Sequence, residues 1–172
     1  DSFYRKIVRD LTGITGYKRY SQALNSILNT EAKNSKEKLN KVWHKVHGFL
    51  ITNTIIFFMI SIFFHWSLFF LLWWLPAFTY YSLIIRIRNI AEHSVTPGNN
   101  NFDNTRTTLT NPIVRFLMAP HRVNYHLEHH LFMMCPWYNL PKAHSMMIEN
   151  GYEDRMCIAN SYRSVLMKAV SA

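Results

Sequence analysis

The sequence predicts an all-α integral membrane protein in which a transmembrane helical hairpin leads into a cytosolic helical cap carrying a histidine-ligated metal site. Three observations predict it. From Gly48 to Ile85 the 172-residue chain has no Asp, Glu, Lys or Arg, and His65 is its one candidate charge. Both flanks of that stretch are rich in Lys and Arg. Beyond it, the five residues His126-Leu127-Glu128-His129-His130 hold three imidazoles. The near-neutral average hydropathy of the chain hides this membrane-like centre.

The elements follow in order. Residues 3–29 space Phe3, Ile7, Val8 and Leu11 helically among basic residues, as a helix lying on an anionic membrane surface would. Gly13 and Gly16 are expected to interrupt it. Residues 30–45 are polar and Lys-rich and are expected to form a solvated helix or linker. The apolar centre divides into residues 48–64 and 67–85, joined by His65-Trp66. Each run approaches the ~20 residues a helix needs to cross a bilayer. Apolar side chains on all faces of two adjacent runs would need a surround that a soluble chain of this size lacks. Trp66, Trp73, Trp74, Tyr80 and Tyr81 suit an interfacial belt, and Pro76 is placed to kink the second helix.

The helix is expected to continue through Arg86–His93, which carries His93 about 12 Å past the apolar run at 1.5 Å per residue. Residues 94–111, with Pro-Gly and several Asn and Thr, read as a loop. Residues 152–170 read as an amphipathic helix, and Trp137 and Tyr138 are expected to pack. This gives three regions: a basic interfacial segment at 1–47, the hairpin at 48–85 and the cap at 86–172.

The formal charge of +9 does not require a nucleic-acid partner. Residues 1–47 hold ten Lys/Arg against four Asp/Glu, residues 86–122 hold five Arg, and the connection between the apolar runs holds none. A bilayer accounts for that distribution, and the positive-inside rule places both flanks in the cytosol. Cys135 and Cys157 form no CxxC pair and read as packing residues. The chain starts at Asp1 without a signal-peptide layout and is expected to lack a front portion.

On a helix His126 lies one turn from both His129 and His130, so three imidazoles can converge. Neutral imidazole suits Fe, Zn, Cu and Ni, and the spacing leaves the metal open. His93 is a fourth candidate. Asn89 shares its helical face, where the amide could orient a metal-bound water.

Arg88-Asn89-Ile90-Ala91-Glu92-His93, followed by Asn124-Tyr125-His126-Leu127-Glu128-His129-His130-Leu131-Phe132, resembles the C-terminal half of the membrane fatty acid desaturases. The second element has the HxxHH form of the family's third histidine box, and the resemblance covers at least residues 48–144. It implies an O2-dependent oxidoreductase that introduces a double bond into a long acyl lipid or acyl thioester at two non-heme Fe ions. By position, His126, His129 and His130 match third-box ligands, His93 matches the ligand after the fourth membrane helix, and Asn89 matches a position that binds iron through water. Glu92 and Glu128 then fit roles as acceptors from ligand N–H groups, with salt bridges to Arg88, Arg122 or others as an equal alternative.

The resemblance also implies a multi-pass protein of the bacterial inner membrane or endoplasmic reticulum, with the site on the cytosolic side. A ferredoxin or cytochrome b5 would supply electrons. The family's first two boxes do not occur here. His44 and His47 are one spacing short and read as interfacial, so the chain is expected to be inactive alone. His121 and His144 match no ligand position. No HPGG motif occurs, and the third box starts with His126 rather than the Gln of front-end desaturases. A membrane hydroxylase, a carotenoid ketolase, or a non-catalytic protein with structural Zn on the four histidines stand as alternatives.

Overall fold

The computed structural model describes residues 3–98, 100 and 102–171. The chain divides into two compact units, Asp1–Leu83 and Ile84–Ala172. Helices dominate both.

In the first unit, α1 (Phe3–Leu11) and α2 (Ile14–Leu28) meet at Gly13, whose φ of 81° only glycine adopts without strain. Gly16 does not interrupt α2, contrary to the sequence expectation. It is buried within the helix, and a Cβ there would fall 2.4 Å from the Phe78 carbonyl oxygen. Its role is close approach of two backbones. Helix α3 (Ser35–Phe63) joins the Lys-rich stretch to the first apolar run without a break. Its start is capped reciprocally: Asn34 Oδ1 accepts from Glu37 N at 2.8 Å, and the Glu37 carboxylate accepts from Lys33 N at 2.9 Å.

The chain turns at Phe64–Ser67 and re-enters a helix that carries a π turn at Phe70–Trp74 before α4 (Leu75–Phe78). Pro76 has no N–H to offer the Leu72 carbonyl, and the ladder shifts so that Leu75 N donates to Phe70 O. Thr79 breaks the path again, with both its N–H and its hydroxyl donating to Leu75 O. The predicted kink is therefore a π turn followed by a break. Tyr20 of α2 stacks on Phe78 with ring centroids 4.9 Å apart, and Trp73 Nε1 donates to Asn53 Oδ1 of α3 at 3.1 Å.

Helix α5 (Tyr80–His93) begins in this unit and ends in the next. The helical stretches Ser35–Phe63 and Phe70–His93 are long and apolar enough to cross a membrane. Almost none of their apolar windows is buried within the protein, unlike the core helices of a soluble domain.

In the second unit, residues 94–111 are not simply a loop. Thr107–Thr108 forms a strand, β1, that pairs in parallel with Ile158–Ala159, β2, and Thr107 also bridges to Tyr125. Thr105 to Thr108 are buried. The segment expected to be a helix from residue 152 instead contains a 3-10 turn and β2, and only α9 (Tyr162–Ser171) is helical beyond them. Between the strands lie α6 (Pro112–Met118), α7 (His126–Leu131) and α8 (Leu140–Glu149). One apolar cluster joins Ala91, Ala119, Tyr162 and Val165; another joins Leu127, Met147 and Met156. Trp137 and Tyr138, expected to pack, are exposed, with the Trp137 ring against His121.

Candidate metal centre

The site is built from the end of one helix and one face of another. His93 is the last residue of α5, and just beyond it Val95 turns the chain at a φ of 52°. His126 opens α7 and His130 follows one turn later, after the left-handed residues His121 and Arg122. His126 Nε2 lies 3.1 Å from His93 Nε2 and 3.1 Å from His130 Nε2. The ligand atoms of all three lie within 4.8 Å of one another. Two imidazole nitrogens bound at ~2.0–2.1 Å to a common ion are themselves about 3 Å apart, the spacing that His126 Nε2 keeps from each of the other two.

Electrostatics keep the nitrogens available. Burial, and then the neighbouring imidazoles and Arg88, lower the His126 pKa to about 3. Burial followed by His93 and His129 lowers His130 as well, with Glu92 opposing. A neutral imidazole offers a lone pair to a metal, whereas its protonated form does not. Glu92 is buried beside the cluster, its Oε1 accepting from Arg88 Nε at 3.2 Å and its Oε2 lying 3.9 Å from His126 Nε2. The Tyr162 hydroxyl is pushed up to about 12 by burial and then by Glu92, against Arg88. That hydroxyl has no hydrogen-bond partner among the described residues.

The remaining residues singled out in the sequence sit around this group. His129 is exposed on α7, with its ring centroid 6.0 Å from that of His126 and 5.9 Å from that of His130, and it does not join the three. Asn89 is exposed one turn before His93 on α5. Glu92 approaches an imidazole, but the Glu128 carboxylate is engaged elsewhere. Thr107 Oγ1 donates to Glu128 Oε2, and His144 Nδ1 donates to Glu128 Oε1 at 2.6 Å.

Three further residues near the site carry no sequence signal of a role there. Arg106 is buried and donates from its backbone to Glu92 O at 3.0 Å, and from its guanidinium to Ala91 O at 3.1 Å and Val95 O at 2.8 Å. Thr107 and His144 hold Glu128. His144 is legible in the sequence only as a histidine outside the motif.

Among known proteins, the family described as fatty acid desaturase matches residues 1–158. Neither the curated proteins nor the solved structures give a significant match. The family match reaches back through α1 and α2, well ahead of the motif residues, and forward through β1 and the start of β2. With a histidine cluster in its second unit and a match over most of its length, the chain belongs to the fatty acid desaturase family.

Proposed function

We propose that the protein serves as an O2-dependent oxidoreductase that introduces a double bond into a long acyl chain, with its imidazole cluster holding non-heme iron. The observation that carries this reading is the convergence of His93, His126 and His130 in a member of the desaturase family. Those three would hold one ion. His129 and, through a water, Asn89 would serve a second. When bound, iron supplies the O2-dependent oxidation that acid–base side chains cannot perform on an unactivated methylene.

The chain's own residues do the rest. Burial of His126 keeps its imidazole neutral at physiological pH, so no proton has to leave it when a metal is taken up. Glu92 places negative charge beside the cluster, which Arg88 partly offsets. The two long apolar helices cross the bilayer and bring the site to the source of acyl chains. The Lys- and Arg-rich flanks lie in the cytosol by the positive-inside rule.

Converting CH2–CH2 to CH=CH while reducing O2 to two waters consumes two electrons and two protons beyond the hydrogens taken from the chain. A ferredoxin or cytochrome b5 is the proposed electron donor, docking its acidic surface on the basic face. Four histidines and one asparagine are too few donors for two iron ions, and the remaining ligands are proposed to come from outside residues 1–172. A closed structural zinc site is the weaker reading. It needs four protein ligands, and His129 stands apart from the three that converge.

The test is lipid profiling of a host expressing the full reading frame beside its His126→Ala variant, scoring acyl chains and carotenoids. New unsaturated acyl chains that vanish in the variant support the reading. A new hydroxyl or keto product moves the activity to a hydroxylase or ketolase, and no product despite expression and added electron donor refutes it.

A further inference from the structure

Glu128 occupies the middle of the histidine motif, yet its side chain is wholly buried. Both carboxylate oxygens are taken by residues outside α7, Thr107 of β1 and His144 of α8, which lie 21 and 16 positions away in sequence. A carboxylate removed from water is costly unless its hydrogen bonds are made, and bonds to a charged acceptor are short and directional. Two such bonds from two different elements fix the side chain, and with it the rotation of α7.

That rotation decides where the imidazoles point. Successive α-helical residues turn by about 100°, which puts Glu128 about 160° around the helix from both His126 and His130. Holding Glu128 inward therefore aims the two histidines away from the core, toward His93. The partner side of the cluster is held by the adjacent residue. Arg106 bonds the carbonyls of Ala91, Glu92 and Val95, which flank His93 on both sides. Arg106 and Thr107, adjacent in sequence at the start of β1, thus tether the two elements that bear the ligands.

We propose that Thr107 and His144 are positioning residues that act through the Glu128 carboxylate to aim His126 and His130 at His93, while Arg106 fixes the His93 end. The inference rests on the metal reading above, because what is positioned is a set of ligands. It assigns a role in metal geometry to residues outside the histidine motif, and it is separable from the identity of the oxidised substrate.

The test uses the protein expressed from the full reading frame in lipid nanodiscs, titrated with Co2+ as a spectroscopic reporter of imidazole sites. Thr107→Val and His144→Ala are compared with Thr107→Ser, which keeps the hydroxyl, and His144→Asn, whose amide can stand where Nδ1 donates. The expectation is that Val and Ala weaken Co2+ binding by about 10–100-fold and alter the ligand-field bands, at unchanged helicity by circular dichroism. Ser and Asn should restore both. Should Thr107→Val fail to fold, the His144 pair, at the edge of the core, decides between the outcomes. Wild-type affinity and spectrum in His144→Ala would overturn the inference alone, as would a loss that His144→Asn does not restore. A wild-type chain that binds no Co2+ would overturn the metal reading and the inference with it.

Discussion

Two glycines make opposite predictions for the same substitution. Gly16 lies against the backbone of Phe78, and a methyl added to it would meet the Phe78 carbonyl oxygen at 2.4 Å, its Cα at 2.5 Å and its carbonyl carbon at 2.8 Å. All three are backbone atoms that cannot swing aside, so α2 must move off Phe78. Overpacking of this kind costs about 1–3 kcal/mol, against at most ~1 kcal/mol regained from helix propensity. Three backbone contacts below 3.0 Å put the cost at the upper end of that range, so Gly16→Ala should destabilise the first unit by about 2 kcal/mol. Gly48 sits inside α3 with nothing within 4 Å of the corresponding position, so Gly48→Ala should stabilise by about 0.5–1 kcal/mol. Denaturation in mixed micelles reads both, followed by tryptophan fluorescence in a background with Trp43, Trp66 and Trp137 replaced by Phe. The Trp74 ring is 5.5 Å from Tyr20 of α2 and is placed to report their separation. A Gly16→Ala protein as stable as wild type, or shifts of the same sign in both variants, would refute the close approach of α2 to Phe78.

Other substitutions probe the second unit and the two long helices. Arg106→Met leaves the buried Ala91 carbonyl and the part-buried Val95 carbonyl without their guanidinium donor, and at about 1–3 kcal/mol for the buried orphan should cost about 2 kcal/mol in chemical denaturation. Val95→Gly should raise stability by about 1 kcal/mol, the reverse of the usual sign, because Val95 holds a left-handed φ of 52° on an exposed turn; a loss would contradict that conformation. Asn53→Leu removes the bond from Trp73 and should weaken the pairing of the two long helices by only about 0.6 kcal/mol, as steric trapping in bilayers can measure.

What could be read from the sequence were the features written in periodicity or local spacing. The apolar runs became long helices because nothing in them interrupts the pattern except Pro76, and α5 ran to His93 because residues 86–93 contain no breaker. His126 and His130 met because four positions make one helical turn, and His93 joined them. The rest depended on partners far along the chain. A two-residue strand has no period to detect, and Thr107–Thr108 is a strand only because Ile158–Ala159 lies beside it. Arg106 gives no local sign of its burial, which follows from carbonyls of a helix end that composition does not reveal. Gly16 resembles Gly13 in sequence but differs in what it touches. Glu128 was expected to accept from ligand N–H groups or to pair with an arginine, and its two oxygens accept from Thr107 and His144.

The cluster at His93, His126 and His130 is proposed to be a redox-active iron site. The most direct test is metal analysis of protein purified anaerobically from host membranes, with Mössbauer spectra before and after reduction, for wild type and His126→Ala. Bound iron should be present, should change its spectrum on reduction and should be lost in the variant. Zinc in place of iron, or iron retained by His126→Ala, would contradict that proposal.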